Sequence, residues 1–282
     1  MKQFVRTAAI TALLFAALAA VLTLLIVRKN CAYSYKADYM QRHKADIKTL
    51  VVGHSHMMNG VIPAQLADSC FNLAIHGTAM SYSLMLLEHF VPQMPKLQTV
   101  IMPLSHDMEW FSFDKLSVRE KRLLYGHYFN LWSTRPTLED MLLFLHSRTF
   151  LESATDIDTA LLGFEPQSIR YEGNSPYWRQ CSQNNELLPS LIKIGQVCRD
   201  HGVRLIVVSA PFAPSYRVWV TQAEMDRVAG IIDSAHSQVP FDYRSYLSDP
   251  DFGSDTMFRD GTHLNSDGAV VFTRRLKQDF GL

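Results

Sequence analysis

Thr49-Leu50-Val51-Val52-Gly53-His54-Ser55-His56 is the stretch that decides the fold. A short apolar run without a charge reads as a strand buried on both faces. Gly53 breaks the run, and Ser55 follows two positions later. Open parallel sheets place their sites at the carboxyl ends of strands, which is where this serine falls.

The pattern repeats outward from there. Cys70–Ile75 (CFNLAI), Leu97–Leu104 (LQTVIMPL) and Val203–Ser209 (VRLIVVS) read as further strands, with Phe241–Tyr243 as a short fifth. Ser81–Val91 carries apolar residues at helical spacing. Leu187–His201 is an amphipathic helix closed by Gly202, Gln222–Ser237 is helical, and Ser266 N-caps a last helix through Lys277. Strands alternating with helices predict an α/β chain with a parallel sheet covered on both faces. Gly77 then follows the second strand and Ser105-His106-Asp107 the third.

Residues 106–185 interrupt the alternation. They hold Trp110, Phe111, Phe113, Tyr125, Tyr128, Phe129, Trp132, Tyr177 and Trp178 and few strand signals. They read as a helical insertion over the carboxyl edge of the sheet. It is either an aromatic subdomain packed for stability or a lid over the site.

Near the C-terminus, Asp260-Gly261-Thr262-His263-Leu264-Asn265 supplies D-x-x-H in a turn leading into the last helix. With Ser55 this makes a nucleophile, an orienting carboxylate and a base, in the chain order Ser…Asp…His. A serine hydroxyl is a poor nucleophile until a base takes its proton. His263 is the candidate base, and Asp260 would hold the other imidazole nitrogen. The backbone N–H groups of Ser55 and Gly77 are the candidate oxyanion donors.

These blocks together resemble the SGNH/GDSL hydrolase superfamily. Its first block is a strand ending in Gly-Asp-Ser, here Gly53-His54-Ser55. Its second is a glycine after the second strand, here Gly77 in Asn72-Leu73-Ala74-Ile75-His76-Gly77. Its last is Asp-x-x-His, here Asp260 and His263. The resemblance spans roughly residues 48–280 and implies a flavodoxin-like three-layer sandwich and acyl-ester chemistry. His54 replaces the family's Asp. The third block, Gly-x-Asn-Asp, has no match, and Pro103-Leu104-Ser105-His106-Asp107 stands in its place. Ser105, His106 or Asn59 would have to replace the missing side-chain donor, with His56 as further support beside the nucleophile, or that donor is lost. Asn72 reads as a brace of the same edge.

A rival reading gives His54, His56, His76 and the pair His106-Asp107 to zinc. It leaves D-x-x-H unexplained and lacks a helical H-E-x-x-H, so no metal and no cofactor are expected. Hydrogen bonding that orders the nucleophile turn is the plainer role for His54 and His56.

The chain has 282 residues, 48% hydrophobic, with 27 basic and 27 acidic side chains. That is enough to bury a large core, and the balanced charge gives no footprint for nucleic acid. Thr7–Val27 carries no charge and, as a helix, would be about 31 Å long, the thickness of a bilayer core. A cleaved signal peptide has a shorter apolar core, and Ala19-Ala20 lies inside the run. Residues 1–29 therefore read as one N-terminal transmembrane helix, a signal anchor. Residues 30–47 read as a stalk, or a first helix above the membrane, and 48–282 as the hydrolase-like domain. Cys31, Cys70, Cys181 and Cys198 are widely spaced and form no metal or redox motif. The sequence assigns no disulfide among them.

The looser pattern resembles membrane-anchored proteins of cell-envelope acylation, such as the teichoic-acid D-alanyl transfer protein DltD and the alginate O-acetylation proteins. That likeness implies a serine esterase or O-acyltransferase acting on acyl esters of envelope glycans. It would sit in the inner (cytoplasmic) membrane with its domain facing the periplasm or cell exterior, with a multi-span membrane acyltransferase as a candidate partner. The alternative is a catalytically degenerate scaffold serving such an acyltransferase.

Overall fold

A computed structural model describes residues 2–27, 31–110, 119, 121–131, 137, 158–167 and 185–282. Five strands form one parallel sheet in the order β2-β1-β3-β4-β5: β1 Thr49–Val51, β2 Cys70–Asn72, β3 Thr99–Pro103, β4 Arg204–Ser209 and β5 Asp242–Ser245. The predicted strands are all present, most of them shorter than their apolar runs. The chain leaves β1 toward one side for β2 and returns to the other side for β3. Open parallel sheets carry their sites at such a reversal, here the carboxyl ends of β1 and β3.

Alternation along each strand explains why the runs are apolar throughout. Val100 and Met102 face one core, and Ile101 faces the other. Leu205 and Val207 divide in the same way from Ile206 and Val208. The first core is covered by α5 (Met80–Phe90) and the helices Leu187–Asp200 and Gln222–His236. The second is covered by α4 (Pro63–Leu66) and the helix Ser266–Phe280. The result is a three-layer α/β/α arrangement.

One sequence reading is corrected in detail. The last helix is N-capped by Asn265, whose Oδ1 accepts the Gly268 N–H at 3.0 Å. Ser266 is the first helical residue, and its hydroxyl donates to the Gln167 carbonyl instead. The segment read as a stalk or a first helix holds α2 (Ala32–His43), which buries Tyr33, Ala37 and Met40 in the first core. The packed core thus begins before residue 48.

In the aromatic stretch, Tyr125 and Phe129 are buried on the helix Arg122–Phe129, with Tyr125 stacked on Tyr82 at 4.2 Å. These two are core residues. Phe111, Phe113, Trp132, Tyr177, Trp178 and Cys181 lie outside the described residues, as does the Trp110 side chain. Cys31, Cys70 and Cys198 are buried free thiols. Lys2–Val27 forms a helix, α1. Among the described residues no helix is long and apolar enough to cross a membrane.

α2 also buries a charge-bearing side chain. Lys36 is fully enclosed, and its Nζ donates to the Ala74 carbonyl. Burial pulls its ammonium down to about 7, against the opposing attraction of Glu165. The folded chain therefore releases this proton at a lower pH than the unfolded chain does, and stability rises with pH from about 7 toward the ordinary lysine value of 10.5. Lys36→Met keeps the length and removes the titration. Urea unfolding of both proteins between about pH 6.5 and 9.5 should show wild type gaining stability relative to the variant as pH rises. A flat difference would mean that Lys36 keeps its proton across the whole range.

Candidate active site

Gly53 sets the nucleophile turn. Its φ is +121°, and a Cβ there would stand 2.3 Å from Pro103 Cδ and 2.6 Å from Cγ. Only glycine lets the chain leave β1 this close to the last residue of β3. His54 then N-caps the short helix α3, Ser55–Met58, with its Nδ1 accepting the His56 N–H at 3.4 Å. Ser55 is the first helical residue and is buried apart from a sliver of surface.

The second half of the site comes from the loop before the last helix. An antiparallel bridge between Phe258 and Leu264 closes this loop, and the Arg259 N–H donates to the His263 carbonyl at 2.9 Å. Within it, the Asp260 carboxylate accepts the backbone N–H groups of Thr262 (3.0 Å) and His263 (2.9 Å). Both carboxylate oxygens lie 2.9 Å from His263 Nδ1. His263 Nε2 lies 2.8 Å from Ser55 Oγ. Burial would raise the Asp260 pKa, but the hydrogen bond and charge of His263 and the two backbone donors outweigh it, and hold the carboxyl well below its usual range. The carboxylate thus fixes the imidazole with Nδ1 as donor and leaves Nε2 to accept from the serine.

The other predicted residues fall into different places. Gly77 has φ +57° and sits in a turn tied to Gly53: the Ile75 N–H and the Thr78 hydroxyl both donate to the Gly53 carbonyl, at 2.9 and 3.2 Å. Asn72 braces the edge, with Nδ2 donating to the Met57 and Val61 carbonyls at 2.8 and 2.9 Å. Asn59 is fully buried, and its Nδ2 donates to the Glu165 carbonyl at 2.9 Å. The Ser105 hydroxyl donates to Asp107. His106 packs edge-on against Phe212, 5.1 Å between centroids. Asn59 and Ser105 thus have partners other than the Ser55 hydroxyl, and His106 is a wall residue.

The remaining imidazoles are divided among separate partners. His56 Nε2 faces Asp107 Oδ2 at 3.6 Å, while His76 Nε2 faces Glu165 Oε2 at 3.3 Å. Among the described residues, no three His, Cys, Asp or Glu side chains gather as a metal set would. Burial first, and neighbouring imidazoles second, push the His54 pKa down to about 3 and His56 well below the histidine range. Both are neutral, and their rings pack on each other at 4.4 Å behind the nucleophile. His54 Nε2 and His56 Nδ1 are buried without a hydrogen-bond partner among the described residues.

Sequence reading missed three contributors. Glu165 pairs with His76, Thr262 donates its hydroxyl to Asp260 at 3.3 Å, and Lys121 Nζ donates to the His76 carbonyl at 3.1 Å. Lys121 and Glu165 lie in the stretch without periodicity, where no signal marked them. Thr262 lay inside the D-x-x-H block, where a hydroxyl beside the carboxylate is a readable signal.

No protein-family model and no curated protein matches the sequence. Among solved structures, the chain is similar to a GDSL-like lipase from Bacteroides thetaiotaomicron, with 11% identity, 88% of this chain and 98% of that one covered, and a TM-score of 0.45. It is also similar to a Streptococcus pneumonia protein provisionally described as a platelet activating factor, with 11% identity, 94% and 98% coverage, and a TM-score of 0.46.

Gly53→Ala should destabilise the chain by on the order of 3 kcal/mol, since it combines a left-handed backbone with a clash against Pro103. Chemical denaturation measures this. A loss below about 1 kcal/mol would mean that Pro103 yields and the turn is not fixed by this contact.

Proposed function

We propose that the chain is a serine ester hydrolase. The observation that carries this reading is the continuous hydrogen-bonded chain from Ser55 through His263 to Asp260, at 2.8 and 2.9 Å. In the proposed reaction Ser55 Oγ attacks the ester carbonyl while its proton passes to His263 Nε2. The backbone N–H groups of Ser55 and Gly77 receive the oxyanion. His263 then gives the proton to the departing alcohol, leaving an acyl-serine. A second hydroxyl, activated by the same imidazole, releases the acyl group and regenerates the serine.

Within this reading, the acceptor is water for an esterase and a sugar hydroxyl for an O-acyltransferase. We place the substrate among acyl esters of cell-envelope glycans, with Thr7–Val27 anchoring the chain in the inner membrane and residues 30–282 outside the cytoplasm. The uncharged N-terminal run and the motif resemblance support this placement. A periplasm-dependent reporter fused at the C-terminus should be active, and activity of a cytoplasm-only reporter would refute the orientation.

A serine-directed fluorophosphonate should label the protein, with labelling lost in Ser55→Ala and in His263→Ala. Asp260→Asn should fold normally and lose on the order of 10⁴-fold in turnover of a p-nitrophenyl ester, because it favours the wrong imidazole tautomer. Undiminished labelling of Ser55→Ala would show that another nucleophile is at work. A folded wild-type protein with neither labelling nor turnover would leave the scaffold reading, with the partner acyltransferase doing the chemistry.

Turnover should also fall on acidification, because a protonated base cannot accept from Ser55. His54 and His56 are already neutral, and Asp260 is held ionised far below neutrality. The acid limb of kcat/KM should therefore carry no contribution from His54, His56 or Asp260. A two-proton slope would implicate a further titrating group in the site.

A further inference from the structure

An oxyanion is stabilised best by donors that are fixed before its charge develops. One candidate donor, the Gly77 N–H, belongs to the peptide between His76 and Gly77. A glycine with positive φ leaves the peptide before it easy to flip, and a flip would present the carbonyl oxygen in place of the N–H. Lys121 stands against that flip. Its Nζ donates to the His76 carbonyl at 3.1 Å, and lies 3.1 Å from where a Gly77 Cβ would be. The peptide is trans, so its N–H points opposite to the carbonyl that Lys121 holds. An ammonium on the carbonyl also draws density from the amide and strengthens the N–H as a donor.

The helix that carries Lys121 is itself tied to this turn. Lys121 is only 8% exposed and precedes the helix Arg122–Phe129. From that helix, Tyr125 stacks on Tyr82 of α5, the helix that follows the turn. Thr78 in turn donates to the carbonyls of Ile75 at 3.0 Å and of Gly53. The turn is thus held by Lys121 on one side of Gly77 and by the Thr78 hydroxyl on the other, and it is bonded to the glycine two residues before Ser55.

We propose that Lys121 is a positioning residue: it orients and polarises the His76–Gly77 peptide so that the Gly77 N–H is a preorganised oxyanion donor. This rests on the hydrolase reading above. It gives the site a means of strengthening a backbone donor where the family pattern has an asparagine side chain. Asn59 Nδ2 donates to the Glu165 carbonyl and the Ser105 hydroxyl to Asp107, so neither is seen turned to Ser55.

The test uses the full chain in detergent, a p-nitrophenyl ester and a boronic acid that forms a tetrahedral adduct with serine. Lys121→Met should lower kcat by about 10- to 100-fold, less than loss of an entire oxyanion donor, with KM changed by less than about twofold. Affinity for the boronic acid should fall by a matching factor, because the adduct resembles the transition state. Lys121→Arg should recover most of the loss. If Lys121→Met does not fold, Lys121→Gln should show the same direction with a smaller loss. Wild-type kcat in Lys121→Met or Lys121→Gln would overturn the inference, as would a fall in kcat with boronate affinity intact. Wild-type protein lacking Ser55-dependent turnover would overturn the hydrolase reading itself, and this inference with it.

Discussion

The contact between Gly53 and Pro103 is the constraint on which the site depends. β1 and β3 are neighbours in the sheet, and their carboxyl ends converge until no side chain fits between them. The chain can leave β1 only by taking a backbone conformation open to glycine. That exit turns it directly into α3, with Ser55 as the first helical residue. The same glycine carbonyl receives two hydrogen bonds from the turn that holds Gly77. The proposed nucleophile and the proposed second oxyanion donor are therefore fixed relative to one another by a single residue that has no side chain.

Electrostatics around the turn are sorted by burial. His54 and His56 lie behind the nucleophile, where losing water costs the charged form more than any neighbour returns, so both remain neutral. Asp260 is buried as well, yet it collects two backbone N–H groups and an imidazole, and it stays ionised. The contrast lies in donor supply. A buried carboxylate with several N–H partners is well solvated by protein, whereas a buried imidazolium with an unpartnered nitrogen is not. One negative charge thus sits beside His263, and the two imidazoles behind Ser55 are neutral.

The stretch between β3 and the helix Leu187–Asp200 contributes more than cover. Tyr125 and Phe129 enter the main core, Glu165 holds His76, and Lys121 reaches the Gly77 turn. Segments distant in the chain thereby become part of the wall of the site.

Alternation of apolar strands with helices was enough to indicate a parallel α/β sheet, because burial on both faces makes a central strand a nearly continuous apolar run. Gly-x-Ser after the first strand and Asp-x-x-His before the last helix were equally legible, since a glycine break and a short acidic–imidazole spacing are local features. Asn265 as the cap was not separable from Ser266, because both side chains cap helices well and only the bond from Ser266 to Gln167 divides the roles. The lysine at His76, the glutamate partner of that histidine, and the commitment of Asn59 and Ser105 to other acceptors were invisible, because each depends on residues far apart in the chain meeting at one sheet edge. The sequence by itself determined the layers, the strand identities and the three residues proposed for the relay. Only the tertiary structure decided which polar side chains near them have donors left to offer, because a side chain's hydrogen bonds are allotted by whatever the fold brings within 3 Å of it.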